Sequence, residues 1–139
     1  MGDIQNKSFA ILLLLLLLFG LSRFTVLGKV HVRIVNKLGT GRIMNVHYQS
    51  HDDDLGFHAI PDGLEMEWKF SVNIWGTTMF YCDMQWDNSN WHHFVAYSDS
   101  YEWDSNICQT ECSWLISKEG QLFVYDQEFR NWDLIPFQD

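Results

Sequence analysis

The sequence predicts an all-β protein, an antiparallel β-sandwich of about seven or eight short strands. Three observations carry this. Apolar residues recur with a period of two in one run after another. Turn residues separate the runs at short intervals. No convincing amphipathic helical pattern interrupts them.

The N-terminus stands outside this pattern. Residues 9–19 form an uninterrupted apolar run of eleven, short of the roughly 20 that span a bilayer but matching a signal-peptide core. Val26, Leu27 and Gly28 place short residues before Lys29. Residues 1–28 are therefore expected to be a signal peptide, and residues 29–139 a single secreted, extracellular domain with no membrane insertion after cleavage.

In that domain Val30, Val32 and Ile34 alternate with His31 and Arg33, giving a first strand. Leu38-Gly39-Thr40-Gly41 is a turn. Residues 42–49 form a second strand whose Met44, Val46 and Tyr48 face should be buried, in which case the Tyr48 hydroxyl needs a partner. Residues 50–56 read as a polar loop and 56–60 as a short strand closed by Pro61-Asp62-Gly63. Residues 65–86 are the stretch around which the rest is arranged, and they read as a β-hairpin. Met66, Trp68, Phe70 and Val72 alternate with Glu65, Glu67, Lys69 and Ser71. Asn73-Ile74-Trp75-Gly76 supplies a turn. Thr78, Phe80, Cys82, Met84 and Trp86 then oppose Met79, Tyr81, Asp83 and Gln85. The second run is rich on both faces, which places it centrally in a sheet. Asp87-Asn88-Ser89-Asn90 is a further turn, residues 91–97 a strand, 98–106 a polar loop, 112–117 and 121–126 strands. The tail carries Phe129, Trp132, Leu134, Ile135 and Phe137, so it should dock on the sheets.

Charge narrows the partners. From Lys29 on, seven Lys and Arg face seventeen Asp and Glu, a formal charge of −10. Such a surface repels phosphate backbones and anionic lipid heads, which argues against nucleic-acid binding. The cysteines are Cys82, Cys108 and Cys112. An oxidising compartment predicts one disulfide, and the odd count leaves one thiol over. Pairing of Cys82 with Cys112 or Cys108 is favoured, because it closes a long loop; a Cys108–Cys112 bond is the alternative.

Several blocks together resemble a known family. They are Val46-His47-Tyr48-Gln49-Ser50, Asp52-Asp53-Asp54-Leu55-Gly56, Trp68-Lys69-Phe70, Trp75-Gly76-Thr77-Thr78-Met79-Phe80-Tyr81-Cys82 and Cys112-Ser113-Trp114. In this order they resemble the plant self-incompatibility S-protein homologues, small secreted proteins of flowering plants. The resemblance implies a β-sandwich and an extracellular ligand that binds a cell-surface receptor through exposed loops, related to determinants of pollen rejection. The family pattern carries Cys where this chain has Tyr48, which accounts for the odd cysteine. The block Asp52, Asp53, Asp54 and Gly56 recurs in the family as a fold signature, and the resemblance does not imply metal binding there.

Other chemistries find little support. The Asp52–Asp54 run lacks calcium-loop spacing. His92 and His93 are adjacent in a strand and point to opposite faces; His47, His51 and His58 are the histidines that could meet in space. No nucleophile–base pair can be named, so no enzyme activity, catalytic residue, metal or cofactor is expected. The preferred recognition surface is the loop with Asp99, Tyr101, Glu102, Trp103 and Asp104, because aromatics among polar groups suit protein contacts. A cell-surface receptor is the expected partner, bound by a monomer. The rival reading is a secreted carbohydrate-binding module using exposed Trp. Trp68, Trp86 and Trp114 are expected in the core and Trp103 in solvent.

Overall fold

The computed structural model describes residues 7–17, 29–72, 78–99, 108 and 110–139. Residues 7–17 form a helix exposed along its length, and no helix among the described residues is long and apolar enough to cross a membrane. From Lys29 the chain forms nine strands: β1 (Lys29–Asn36), β2 (Met44–Ser50), β3 (Asp54–Ile60), β4 (Glu65–Ser71), β5 (Met79–Gln85), β6 (His92–Ser98), β7 (Glu111–Ile116), β8 (Leu122–Asp126) and β9 (Asn131–Ile135). Two sheets pack face to face, in the orders β4-β1-β7-β8-β9 and β3-β2-β5-β6. The sandwich is antiparallel except where β1 and β7 run parallel at the centre of the larger sheet.

The period-two pattern placed the inward residues correctly. Val30, Val32 and Ile34 of β1 meet Met44, Val46 and Tyr48 of β2 and Phe80, Cys82 and Met84 of β5 in one buried core. Trp114 joins the sheets: its indole N–H donates to the Ala96 carbonyl at 3.0 Å, and its ring lies 4.8 Å from that of Phe94. In β6 alternation breaks, because Ala96 and Tyr97 are both buried. A bulge does this: Phe80 pairs with Tyr97 but Tyr81 with Val95, so one extra β6 residue turns inward.

The hairpin expected over residues 65–86 does not form. β4 pairs with β1 in the larger sheet, and β5 lies between β2 and β6 in the smaller one. Alternation fixes which face of a strand is apolar but not its neighbour. Charge favours the observed partner: Glu67 opposes Arg33, and Arg33 Nε contacts Glu65 at 2.8 Å while His31 contacts Glu67 at 3.1 Å. Folding the two runs onto each other about position 75 would oppose Glu67 to Asp83, a like-charge pair. The central placement of β5 holds.

The long-range bond expected from Cys82 is not made either. Cys108 pairs with Cys112, their Cα atoms 4.8 Å apart, and Cys82 is a buried free thiol. Cys82 lies opposite Tyr48 in the smaller sheet, and Cys112 lies beside Val32 in the larger one. Stacked sheets sit about 10 Å apart, beyond the roughly 7 Å Cα separation a disulfide tolerates. Burial raises the pKa of the Cys82 thiol and of the Tyr48 hydroxyl. Tyr48 occupies the place opposite Cys82 with a ring, 3.6 Å from that of Trp68 and 5.1 Å from that of Phe80. Its hydroxyl, expected to be bonded, has no hydrogen-bond partner among the described residues, and neither has the Trp68 indole N–H.

The tail docks as expected and adds the ninth strand. Asp126 Oδ1 accepts the N–H groups of Glu128 and Phe129 at 2.9 and 3.1 Å, turning the chain so that β9 returns along β8. Beyond it, Gln138 N–H donates to the His93 carbonyl at 2.7 Å, which covers part of the free edge of β6.

Candidate recognition surface

Strand directions bring the ends of β2, β4 and β6 and the starts of β1, β3, β5, β7 and β9 to one pole of the sandwich. The signature block and the preferred recognition loop both emerge there, from opposite sides of β5. Sequence distance concealed this, since some forty-five residues separate them.

The signature block is a tight hairpin. Ser50 N–H donates to the Asp53 carbonyl at 2.7 Å, and Asp53 N–H donates to Ser50 Oγ at 3.0 Å. Asp54 then accepts the Gly56 N–H at 2.9 Å and meets His47 Nε2 at 2.8 Å. These two partners, Gly56 first, hold the Asp54 carboxyl below its ordinary pKa. Gly56 has φ +84°, which admits the bulge where β3 gains a residue against β2. Asp54 and Gly56 thus set the backbone, and Asp52 and Asp53 stand exposed in solvent.

Beside this hairpin, Ser50, Asp52, Asp53, Ser71, Thr78 and Met79 line a cleft of about 250 Å3. Asp99 N–H donates to the Thr78 carbonyl at 3.1 Å, tying the first residue of the preferred loop to the cleft wall. Burial raises the Asp99 carboxyl pKa, offset in part by Thr78. Tyr97 beneath it is raised by burial and then by Asp99. Below lies an aromatic floor: Phe70 is 4.1 Å from Phe80 and 5.0 Å from Tyr97, centre to centre. A packed floor under polar loops is the arrangement that lets a rigid scaffold present a binding surface. Tyr101, Glu102, Trp103 and Asp104 lie outside the described residues. Residues 50–54 and 98–106 hold six carboxylates and no Lys or Arg in sequence, and of these Asp52, Asp53, Asp54 and Asp99 are placed at this pole.

The histidines do not converge on a metal. Besides the His47–Asp54 pair, His58 Nε2 contacts the Leu55 carbonyl at 2.9 Å, and no group of three or more metal-ligating side chains occurs among the described residues. Trp86 and Trp114 are buried in the core, as expected, whereas Trp68 is half-buried and packs against it. The exposed Trp91 and Trp132 were missed, since their strand and tail contexts gave no sign of exposure.

Residues 31–135 match the family model for plant self-incompatibility protein S1. The chain belongs to that family. It is 35% identical to self-incompatibility protein S1 of Papaver rhoeas over 105 residues, covering 76% of this chain and 74% of that one. It is 39% identical to S-protein homolog 3 of Arabidopsis thaliana, covering 70% of this chain and 65% of the relative. With S-protein homolog 5 of the same plant it shares 37% identity, over 64% of this chain and 66% of the relative. The chain thus spans about two thirds to three quarters of the length of these relatives. A solved structure of a self-incompatibility protein homologue, from a family described as small, highly stable and secreted, aligns with a TM-score of 0.55 at 18% identity. It covers 79% of this chain and 90% of its own, and it shares the fold.

Proposed function

We infer that this S1-family member is a secreted extracellular ligand that binds a cell-surface receptor through the acidic pole, and that it does no chemistry on a substrate. The observation that carries this reading is the cleft lined by Asp52 and Asp53, with Asp99 tied to its Thr78 wall, over a packed aromatic floor. Its relationship to self-incompatibility protein S1 supports a signalling role of the pollen-rejection type. Residues 1–28, with their apolar run of eleven over residues 9–19, act as the signal peptide. A monomer would present one pole, and its carboxylates suit a receptor face rich in Lys and Arg, which would steer encounter at low ionic strength.

The test is proximity labelling by the mature protein on intact cells of the source tissue, run in parallel with the Trp103→Ala/Asp104→Ala double variant. Capture of a membrane receptor by the parent, lost in the variant with an unchanged melting temperature, is the expected result. Equal capture by both would remove the loop from the interface, and capture of no membrane protein would overturn the receptor reading.

A further inference from the structure

The outward face of the smaller sheet carries a second surface, away from the cleft. Register aligns Phe57 of β3, His47 of β2, Asp83 of β5 and His93 of β6 in one row across all four strands. At strand spacing this row spans about 14 Å. Phe57 is 68% exposed and Trp91 43%. Their rings lie 6.0 Å apart in an edge-to-face arrangement, and the His47 ring stacks on Phe57 at 4.2 Å. The polar groups beside the rings are already fixed: His93 Nδ1 meets Asp83 at 2.7 Å, and His47 meets Asp54 at 2.8 Å.

We propose that this face binds a neutral glycan, with Phe57 and Trp91 stacking on sugar rings and the imidazole–carboxylate pairs receiving hydroxyls. Three features select this ligand. Exposed rings beside fixed, planar polar groups match the two-sided chemistry of a sugar, which has apolar C–H faces and a hydroxyl rim. The outward positions of these strands hold no Lys or Arg, and with the acidic chain this disfavours a polyanionic polysaccharide. Each carboxylate already meets an imidazole through its Oδ1, which weakens its pull on a cationic peptide. The face is distinct from the cleft, and the proposal does not depend on the receptor reading.

The experiment titrates the secreted protein with cellohexaose, mannohexaose, oligogalacturonate and a lysine-rich peptide, read by calorimetry and backbone amide shifts. Saturable binding of a neutral hexasaccharide is expected, with shifts centred on Phe57, His47 and Trp91. Phe57→Ala and Trp91→Ala should each weaken it about tenfold without lowering the melting temperature, because both rings are exposed. Leu134→Ala, on the opposite sheet, should leave it unchanged. Failure of both neutral sugars to saturate, preference for oligogalacturonate or the peptide, or equal loss in the Leu134 variant would each overturn the proposal.

Discussion

The two poles of the sandwich are built in opposite ways. At the pole away from the cleft the loops are tied down by side chains. Asn36 is fully buried and fully used: its amide donates to the carbonyls of Arg42 and Ile60 at 2.9 and 2.8 Å and accepts the Leu38 N–H at 2.9 Å. Asp62 accepts the N–H groups of Gly39 and Gly41 at 2.9 and 3.0 Å. Arg42 bonds Asp87, and the β5–β6 turn takes positive φ at both Asp87 and Asn88, as a tight hairpin requires. Gly120, at φ +75°, lies so close to Trp86 that a Cβ there would come within 3.0 Å of the indole. At the cleft pole the tight elements among the described residues include the Ser50–Asp53 turn, the Asp54–Gly56 and Gln127–Glu111 contacts, the Asp126 turn and the Cys108–Cys112 bond, while Asp52 and Asp53 stand in solvent. One pole is held by side chains bonded to loop backbone, and the other presents exposed carboxylates beside a cleft.

The contrast breaks most decisively at Asn36. Asn36→Ala leaves the Leu38 N–H and two carbonyls without their partner, and should cost about 3 kcal/mol in denaturant unfolding. A loss below about 1 kcal/mol would mean that water replaces the amide, and that the pole is not held by it. Reducing Cys108–Cys112 comes next. The bond spans four positions, so chain entropy gives it only about 2 kcal/mol. The Cys108→Ser/Cys112→Ser variant should melt at the temperature of the reduced parent, with Cys82 unreactive to thiol reagents in both. A labelled Cys82 in the folded parent would contradict its burial.

Acid should act with opposite sign on Asp99 at the cleft pole and on Asp87 and Asp139 at the other, while Asp54 of the cleft pole behaves like the latter pair. Asp87, held first by Arg42, and Asp139, held first by His92, have lowered pKa values. Their contributions are present above the ordinary 3.8 and are lost as pH falls through their folded values. Asp99 has a raised pKa, chiefly from burial, so its ionisation weakens the fold as pH rises from 3.8 through its folded value. Carboxyl titration by NMR should place Asp99 above Asp87 and Asp139, and Asp99→Asn should remove the destabilising part of the profile. The smallest stability effect belongs to Asp52→Asn/Asp53→Asn, which should leave the melting temperature unchanged while slowing receptor association at low salt. A shift of several degrees would show that these carboxylates hold the pole together.

How much of this was legible follows from the range of each interaction. Local alternation set the inward residues of β1, β2 and β5, because a strand's faces are fixed by its own pleat. Turn chemistry set Pro61-Asp62-Gly63 and Asp87-Asn88, because φ preferences are local. The ordered motif blocks set the family. Strand partnership was decided in three dimensions: whether β4 joins β1 or β5 depends on charges that oppose one another only after both sheets exist. Disulfide choice was decided the same way, since Cys82 and Cys112 belong to different sheets. So was exposure at Phe57 and Trp91, which alternation alone could not separate from core positions. The sequence by itself determined the faces, the turns and the acidic character of two distant loops. The tertiary structure decided which strands are neighbours, and so which side chains share a pole, because that choice rests on contacts between residues far apart in the chain.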